Sequence, residues 1–358
     1  MEAESTTVLA EQIALAERLL DERQLPEALL AFRAAESIGA DPDGCSAARW
    51  LASMLGGDFE AAWKESDAIR WRDSADPHRF WTGEDVRGRR VIVRCLHGFG
   101  DAVQFLRYLP RLRALAAEVI VEVSPQMIAL APMLDGIDEV TTWGANRPVT
   151  APEWDVQVEV MELPYLFRTT VAELPLAAEY LRLPCADVEN AAQAMGDPED
   201  ALRVGLVWAA GEWNVARSIP LECMERLLGI SGVEFWSLQG GTAASEVQQL
   251  TLTGAVRDAA VCGEGQRALA AVIANLDLVI TVDTLAAHMA GAMGKPAWVL
   301  LQHAADWRWM TGRDNSPWYP KMKLFRQPAK DNWAAVIDSV GTELSRLVKD
   351  ALARKAAQ

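Results

Sequence analysis

The sequence predicts an α/β protein, two doubly wound halves behind an N-terminal helical cap. Three observations predict this class. Residues 8 to about 71 carry apolar side chains at helical spacing, with a near-repeat inside them. From Arg89 the pattern changes to short apolar runs separated by amphipathic segments, which reads as parallel βαβ units. After an acidic stretch, Ala186 to Asp200, that alternation starts again.

Bulk composition narrows the function classes. With 358 residues the chain exceeds one ordinary domain, and its 51% hydrophobic content supplies a sizeable core. A formal charge of −16 argues against a nucleic-acid backbone as partner, which needs a basic face. It still admits a nucleotide, which needs only a few local donors. The 5 cysteines are spread without a CxxC pair, so reduced thiols are expected. The 4 histidines (His78, His97, His288 and His303) lack metal-ligand spacing, so no metal site is expected. Met1-Glu2-Ala3-Glu4 is acidic, no secretory leader is visible, and no run of about 18 apolar residues spans a membrane. A cytoplasmic protein is the expectation.

The cap comes first. Ile13-Ala14-Leu15-Ala16-Glu17-Arg18-Leu19-Leu20 has a helical apolar period. Glu27-Ala28 and Glu60-Ala61 head two similar segments 33 positions apart, close to the tetratricopeptide period of about 34. Residues 1–75 are read as this helical unit, either a plain cap or a docking surface for a protein partner. Asp73 to Gly88 is a polar connection. Strands are expected at Val91–Leu96, Val119–Val123, Val140–Trp143 and Val156–Val160, and helices at Ala102–Leu115, Pro125–Leu134 and near Leu176–Leu183. These make up a first half, 88–185. Ala186–Asp200 is read as a linker. The second half, 201–330, has strands at Val204–Trp208, Val233–Leu238, Leu278–Val282, Trp298–Leu301 and Lys323–Phe325. Its helices are Leu221–Leu228, Gly265–Asn275 and Thr284–Met293. The tail, 331–358, reads as a closing amphipathic helix, with Trp333, Val336, Ile337, Val340, Leu344 and Leu347 on one face.

Four stretches carry possible chemistry. In His97-Gly98-Phe99-Gly100-Asp101 an apolar strand ends in a glycine-broken turn, and Asp101 sits where Asp commonly caps a helix. A structural cap and a catalytic carboxylate both fit it. Val282-Asp283-Thr284-Leu285 ends a buried strand and opens a helix of small residues, whose free N–H groups and dipole suit an anion. His288 lies one turn on, sharing that face. Trp208 to Pro220 is a loop at a strand's carboxyl end, with Arg217 and Ser218 placed where open α/β folds bind ligands. Finally, Asp306-Trp307-Arg308-Trp309 and Ser316-Pro317-Trp318-Tyr319-Pro320 suit either stacking on a ligand or packing between the halves.

Taken together, these stretches resemble glycosyltransferase family 9, the bacterial ADP-heptose:lipopolysaccharide heptosyltransferases, and within it the branch with N-terminal tetratricopeptide repeats. Gly98-Phe99-Gly100-Asp101 with Gln104 to Pro110, Gly205 to Ala209 with Arg217 to Pro220, Asp283-Thr284 with His288, and the two Trp-rich blocks carry the resemblance in order. It implies a GT-B architecture, two Rossmann-like domains facing a cleft with a tetratricopeptide-like cap. The acceptor would lie on the first domain, near His97, Gly98 and Gly100, with the glycines clearing room for it. The donor would lie on the second, held by Arg217, Ser218, Asp283, Thr284, Leu285 and His288. The resemblance also implies inversion without a metal, and makes Asp101 the general base. Two positions depart from the family pattern: Leu285 stands where many members have Gly, and Arg217 where some have Lys. The loop Gly211–Ala216 is also short.

The function expected is therefore metal-independent transfer of a sugar, with ADP-heptose as leading donor, to a glycan or protein acceptor docked by the helices. No cofactor is expected beyond the nucleotide-sugar substrate. The rivals are a non-catalytic scaffold on the same fold and a nucleotide-sugar epimerase, which would need no acceptor.

Overall fold

In the computed structural model, residues 2–72, 81–143, 154–174, 179–198 and 201–356 are described. Four helices come first: α1 (Glu2–Asp21), α2 (Leu25–Ser37), α3 (Pro42–Gly56) and α4 (Phe59–Arg72). Each packs on the next. Their own small core joins Ala16, Leu20, Ala28, Phe32, Ala35 and Leu55. Asp41 caps α3 by accepting the Gly44 N–H at 2.7 Å, and Gly57 ends it at φ 80°, the conformation glycine adopts most easily.

The first sheet follows. Its strands are β1 (Arg90–Arg94), β2 (Glu118–Val123), β3 (Glu139–Thr142) and β4 (Val156–Glu159), with α5 (Phe99–Phe105) and α6 (Leu109–Arg113) after β1 and α7 (Leu163–Leu166) after β4. All pairs are parallel, in the order β3-β2-β1-β4. The continuous helix expected over Ala102–Leu115 is broken by a 3₁₀ turn at Leu106–Tyr108. Pro110 explains the break, since its ring and missing N–H are tolerated only in a first helical turn, here that of α6. Pro132 likewise reduces the helix expected at Pro125–Leu134 to two 3₁₀ turns, Pro125–Met127 and Ala131–Met133. The helix expected near Leu176–Leu183 lies partly outside the described residues, and 179–183 are not helical.

Ala186–Asp200, expected as a linker, is largely helix: α8 runs Cys185–Met195. Ala191 and Met195, four residues apart, are buried; Asp187, one turn before Ala191, lies on the same stripe, while Glu189 is exposed and Asp197 follows the helix. Asp187 pairs with Arg267 at 2.7 Å, fixing α8 on the helix that carries Arg267.

The second sheet contains β5 (Leu202–Val207), β6 (Val233–Ser237), β7 (Arg257–Asp258), β8 (Leu278–Val282), β9 (Ala297–Leu301) and β10 (Met322–Arg326). Between them run α9 (Leu221–Leu228), α10 (Ala244–Leu252), α11 (Gly265–Ala274) and α12 (Leu285–Ala292), and α13 (Trp333–Ala356) closes the chain. The strand order, β10-β9-β8-β5-β6-β7, is that of a doubly wound nucleotide-binding sheet, wholly parallel. Every residue of β8 and β9 is buried, as expected of strands covered on both faces. α10 and β7 carried no clear sequence signal.

One core runs through both sheets and takes in Phe59 and Trp63 of the cap. A buried polar bolt also joins the halves. Arg107 donates to the Trp318 carbonyl at 2.7 Å and to the Tyr180 hydroxyl at 3.0 Å, and its guanidinium lies over the Tyr319 ring.

Candidate active site

In open α/β sheets, ligands bind at the carboxyl edge where strand order reverses. The first sheet reverses between β1 and β4, the second between β5 and β8. The loops leaving these strands supply most of one cleft of about 310 Å³. His97 to Asp101 come from the β1 end and Met161 from the β4 end. Gly211 and Arg217 follow β5, Asp283 to Leu285 with His288 follow β8, and Asp306 and Arg308 complete the lining.

Asp101 is not the helix cap itself. α5 starts earlier, with Gly98 as N-cap, and Asp101 is in its first turn. Its Oδ2 accepts the Gly98 N–H at 3.1 Å, the reciprocal half of a capping box. Its Oδ1 accepts from Arg308 Nη2 at 2.5 Å. Arg308 also holds Asp306 Oδ1 at 2.8 Å through Nη1. Sequence reasoning left Arg308 inside a Trp-rich stretch read as stacking or packing. The signal that points to it is an arginine two residues after an aspartate and between two tryptophans.

Gly98 and Gly100 both line the cleft, and Gly100 also meets its far wall. A Cβ there would come within 2.8 Å of His288 Cδ2, so the space beside it is filled by the histidine, and the glycine lets α5 approach α12. His97 is mostly exposed at the rim, its Nε2 4.0 Å from Glu159 Oε1. Burial raises the Glu159 carboxyl above its ordinary range, against the pull of the Met161 N–H and His97.

On the opposite wall, Thr284 is the N-cap of α12, and its hydroxyl lies 3.0 Å from that of Thr281. Its side chain makes no capping bond, so the Leu285 and Ala286 N–H groups at the start of α12 have no acceptor within the helix, and Leu285 lines the cleft, where they suit an anion. Arg217 Nη1 donates to the Asp283 carbonyl at 2.8 Å, which sets a guanidinium beside those amides. Ser218 does not line the cleft: its hydroxyl accepts the Ala210 N–H at 3.0 Å and shapes the loop that presents Arg217. The Asp283 carboxyl is pushed up to about 6, first by burial and second by the neighbouring Asp306 carboxylate. Burial, then the cations Arg308, Arg107 and Arg217, press His288 down to about 3, so its imidazole is neutral at pH 7. It shares a hydrogen bond with the Tyr319 hydroxyl at 3.0 Å and stacks on Trp309.

This pairing of two doubly wound sheets has counterparts among solved structures. A glycosyl transferase family 9 protein from Veillonella parvula matches with TM-score 0.52 and 13% identity, over 69% of this chain and 88% of that one. The E. coli ADP-heptose lipopolysaccharide heptosyltransferase II matches with TM-score 0.55 and 12% identity, over 73% of this chain and 99% of its own. Over that part of its length the chain has the heptosyltransferase fold. No family model matches. Among curated proteins, Protein FlbA of Caulobacter vibrioides is 26% identical over 301 residues, 78% of this chain. The chain spans 50% of the length of that relative.

In the second sheet of this heptosyltransferase fold, the donors Arg217 and the α12 amides lie together. The first sheet places a carboxylate across from them. Among the described residues no group of three or more His, Cys, Asp or Glu side chains is arranged to hold a metal ion, and no helix is long and apolar enough to cross a membrane.

Proposed function

We propose that the cleft transfers a sugar from a nucleotide-sugar to an acceptor hydroxyl, with Asp101 as general base. One observation carries this reading: a carboxylate from the first sheet and an anion cradle from the second line the same cleft, at facing switch points. In a single displacement the acceptor oxygen bonds to the anomeric carbon, its proton passes to Asp101, and the bond to the diphosphate oxygen breaks. The configuration inverts because the two oxygens lie on opposite faces of that carbon. The leaving diphosphate gains charge, which Arg217 and the α12 amides are suited to stabilise without a divalent ion. Asp283 and neutral His288 would take sugar hydroxyls.

In this reading residues 88–185 hold the acceptor and 201–330 the donor. ADP-heptose is the leading donor, since the fold is that of proteins named for it. The acceptor is a glycan or protein, and the tetratricopeptide-like cap is its candidate docking surface. A non-catalytic scaffold draws on one opposing observation, that both Asp101 oxygens already have partners. A melting-temperature screen against ADP-, GDP-, UDP- and CMP-sugars tests the donor site, because a ligand bound only by the folded state stabilises it. We expect one nucleotide class to raise the melting temperature and Arg217→Ala to weaken that binding about 10- to 100-fold, the worth of a charged hydrogen bond. No response to any of them would remove the donor site.

A further inference from the structure

The turn that carries Arg308 is held from behind by the helical cap. Trp307 packs edge-on against Trp50 of α3 at 5.5 Å and stacks on Phe105 of α5 at 6.2 Å. The Thr311 N–H and hydroxyl both donate to the Leu55 carbonyl, at 2.9 and 3.2 Å. Arg23 Nη2 reaches the Ala305 carbonyl at 3.4 Å. Between these anchors Met310 sits at φ 49°, a left-handed conformation that strains a side-chain-bearing residue and persists only where surrounding contacts impose it. Arg326 supplies one of those contacts, donating to the Met310 carbonyl at 2.5 Å.

At the other side of the turn, buried Arg308 divides its guanidinium between Asp306 and Asp101. Its Cζ lies 4.8 Å from the Trp307 ring and 5.4 Å from the Phe105 ring, which fixes the fork in place. The Asp101 carboxylate is thereby tied at one oxygen to Arg308 and at the other to the Gly98 N–H. Each ionised oxygen accepts about two hydrogen bonds, so both retain a site for an incoming hydroxyl.

We propose that Arg308 is a positioning residue for Asp101, and that the N-terminal cap acts on the base through it, by way of the turn 305–311. The proposal rests on Asp101 being the general base. A base misplaced by about 1 Å loses on the order of 10²-fold in rate without losing its ligand. Lysine cannot replace Arg308, because one ammonium does not present the planar fork that spans two carboxylates.

The test uses the full chain, the nucleotide-sugar that stabilises it most and water as the sugar acceptor, and reads hydrolytic release of free nucleoside diphosphate. Arg308→Gln and Trp50→Ala are each expected to lower kcat by about 10²-fold with donor KM little changed. Trp50→Phe, which keeps a ring against Trp307, should restore most of the rate. Added to Asp101→Asn, neither change should lower the residual rate further, since both act through the same carboxylate. Wild-type kcat in Arg308→Gln or Trp50→Ala, or losses that multiply on Asp101→Asn, would overturn the proposal. Should Arg308→Gln fail to fold, Arg308→Lys keeps the charge and must show the same kcat loss. Wild-type turnover in Asp101→Asn alone would instead remove the base assignment.

Discussion

Asp283 and His288 show how burial sets the charge state of the cleft wall that the second sheet supplies. The folded-state value of Asp283, about 6, lies above its ordinary 3.8. The folded protein therefore binds that proton more tightly than the unfolded chain. The stability this contributes is complete below about 3.8 and is lost as pH rises to about 6. His288 works in the opposite sense. Its folded value of about 3 lies below 6.5, so its contribution is complete above that value and is lost as pH falls toward 3. Across the shared window the two slopes oppose each other. Removing the Asp283 term with Asp283→Asn should leave a stability that climbs more steeply between pH 4 and 6 than in the wild type. Urea unfolding midpoints across that range check this, and parallel curves would mean that burial does not hold Asp283 neutral.

Among the elements, α5 and α12 decide how closely the two walls approach. Gly100 is the point of contact, and a methyl group there would press on His288. Gly100→Ala should therefore cost about 1–3 kcal/mol by overpacking, and an unchanged melting temperature would show that the helices yield without cost. This contact was not legible in the sequence, because a Gly-x-Gly turn does not say what fills the space beside it. The strands were legible: β1, β5 and β8 are mainly apolar runs followed within four residues by Gly98, Gly211 and Asp283-Thr284, and burial on both faces makes such runs conspicuous. Asp101, Arg217, Asp283, Thr284, Leu285 and His288 were legible as loop or first-turn residues after those strands, and all six line one cleft. Arg308 was not singled out, because its role depends on Asp101, 207 positions away in the chain. The helix α8 is hard to see in the sequence because Asp187, Glu189 and the acidic residues just after it dominate the composition of the stretch, while two buried side chains set its packing. Ser218 was placed by the right loop and points its hydroxyl to that loop's own backbone.

For the whole molecule, the cap is an integral part rather than an appendage. It touches the first half through Trp63, whose Nε1 donates to the Thr169 carbonyl at 2.7 Å, and through Asp67 with Arg168 at 2.6 Å. It touches the second through Leu55 and Trp50. With Arg107 bolting the halves together behind the cleft, the two walls are held in register by buried contacts on two sides. Such an arrangement suits a reaction whose base and leaving-group cradle come from different sheets, because both must be aligned on one carbon. Transfer at this cleft depends, in the proposed function, on the Asp101 carboxylate taking the acceptor's proton. The most direct test is the rate at which Asp101→Asn hydrolyses the nucleotide-sugar it binds, with water as the acceptor and free nucleoside diphosphate as the readout, compared with wild type. Asparagine keeps one acceptor oxygen, for either the Arg308 or the Gly98 donor, and sets its NH2 against the other, so it should cost about 1–3 kcal/mol of stability while donor affinity persists and the rate falls about 10²- to 10⁴-fold. Equal rates in the two proteins would contradict the account.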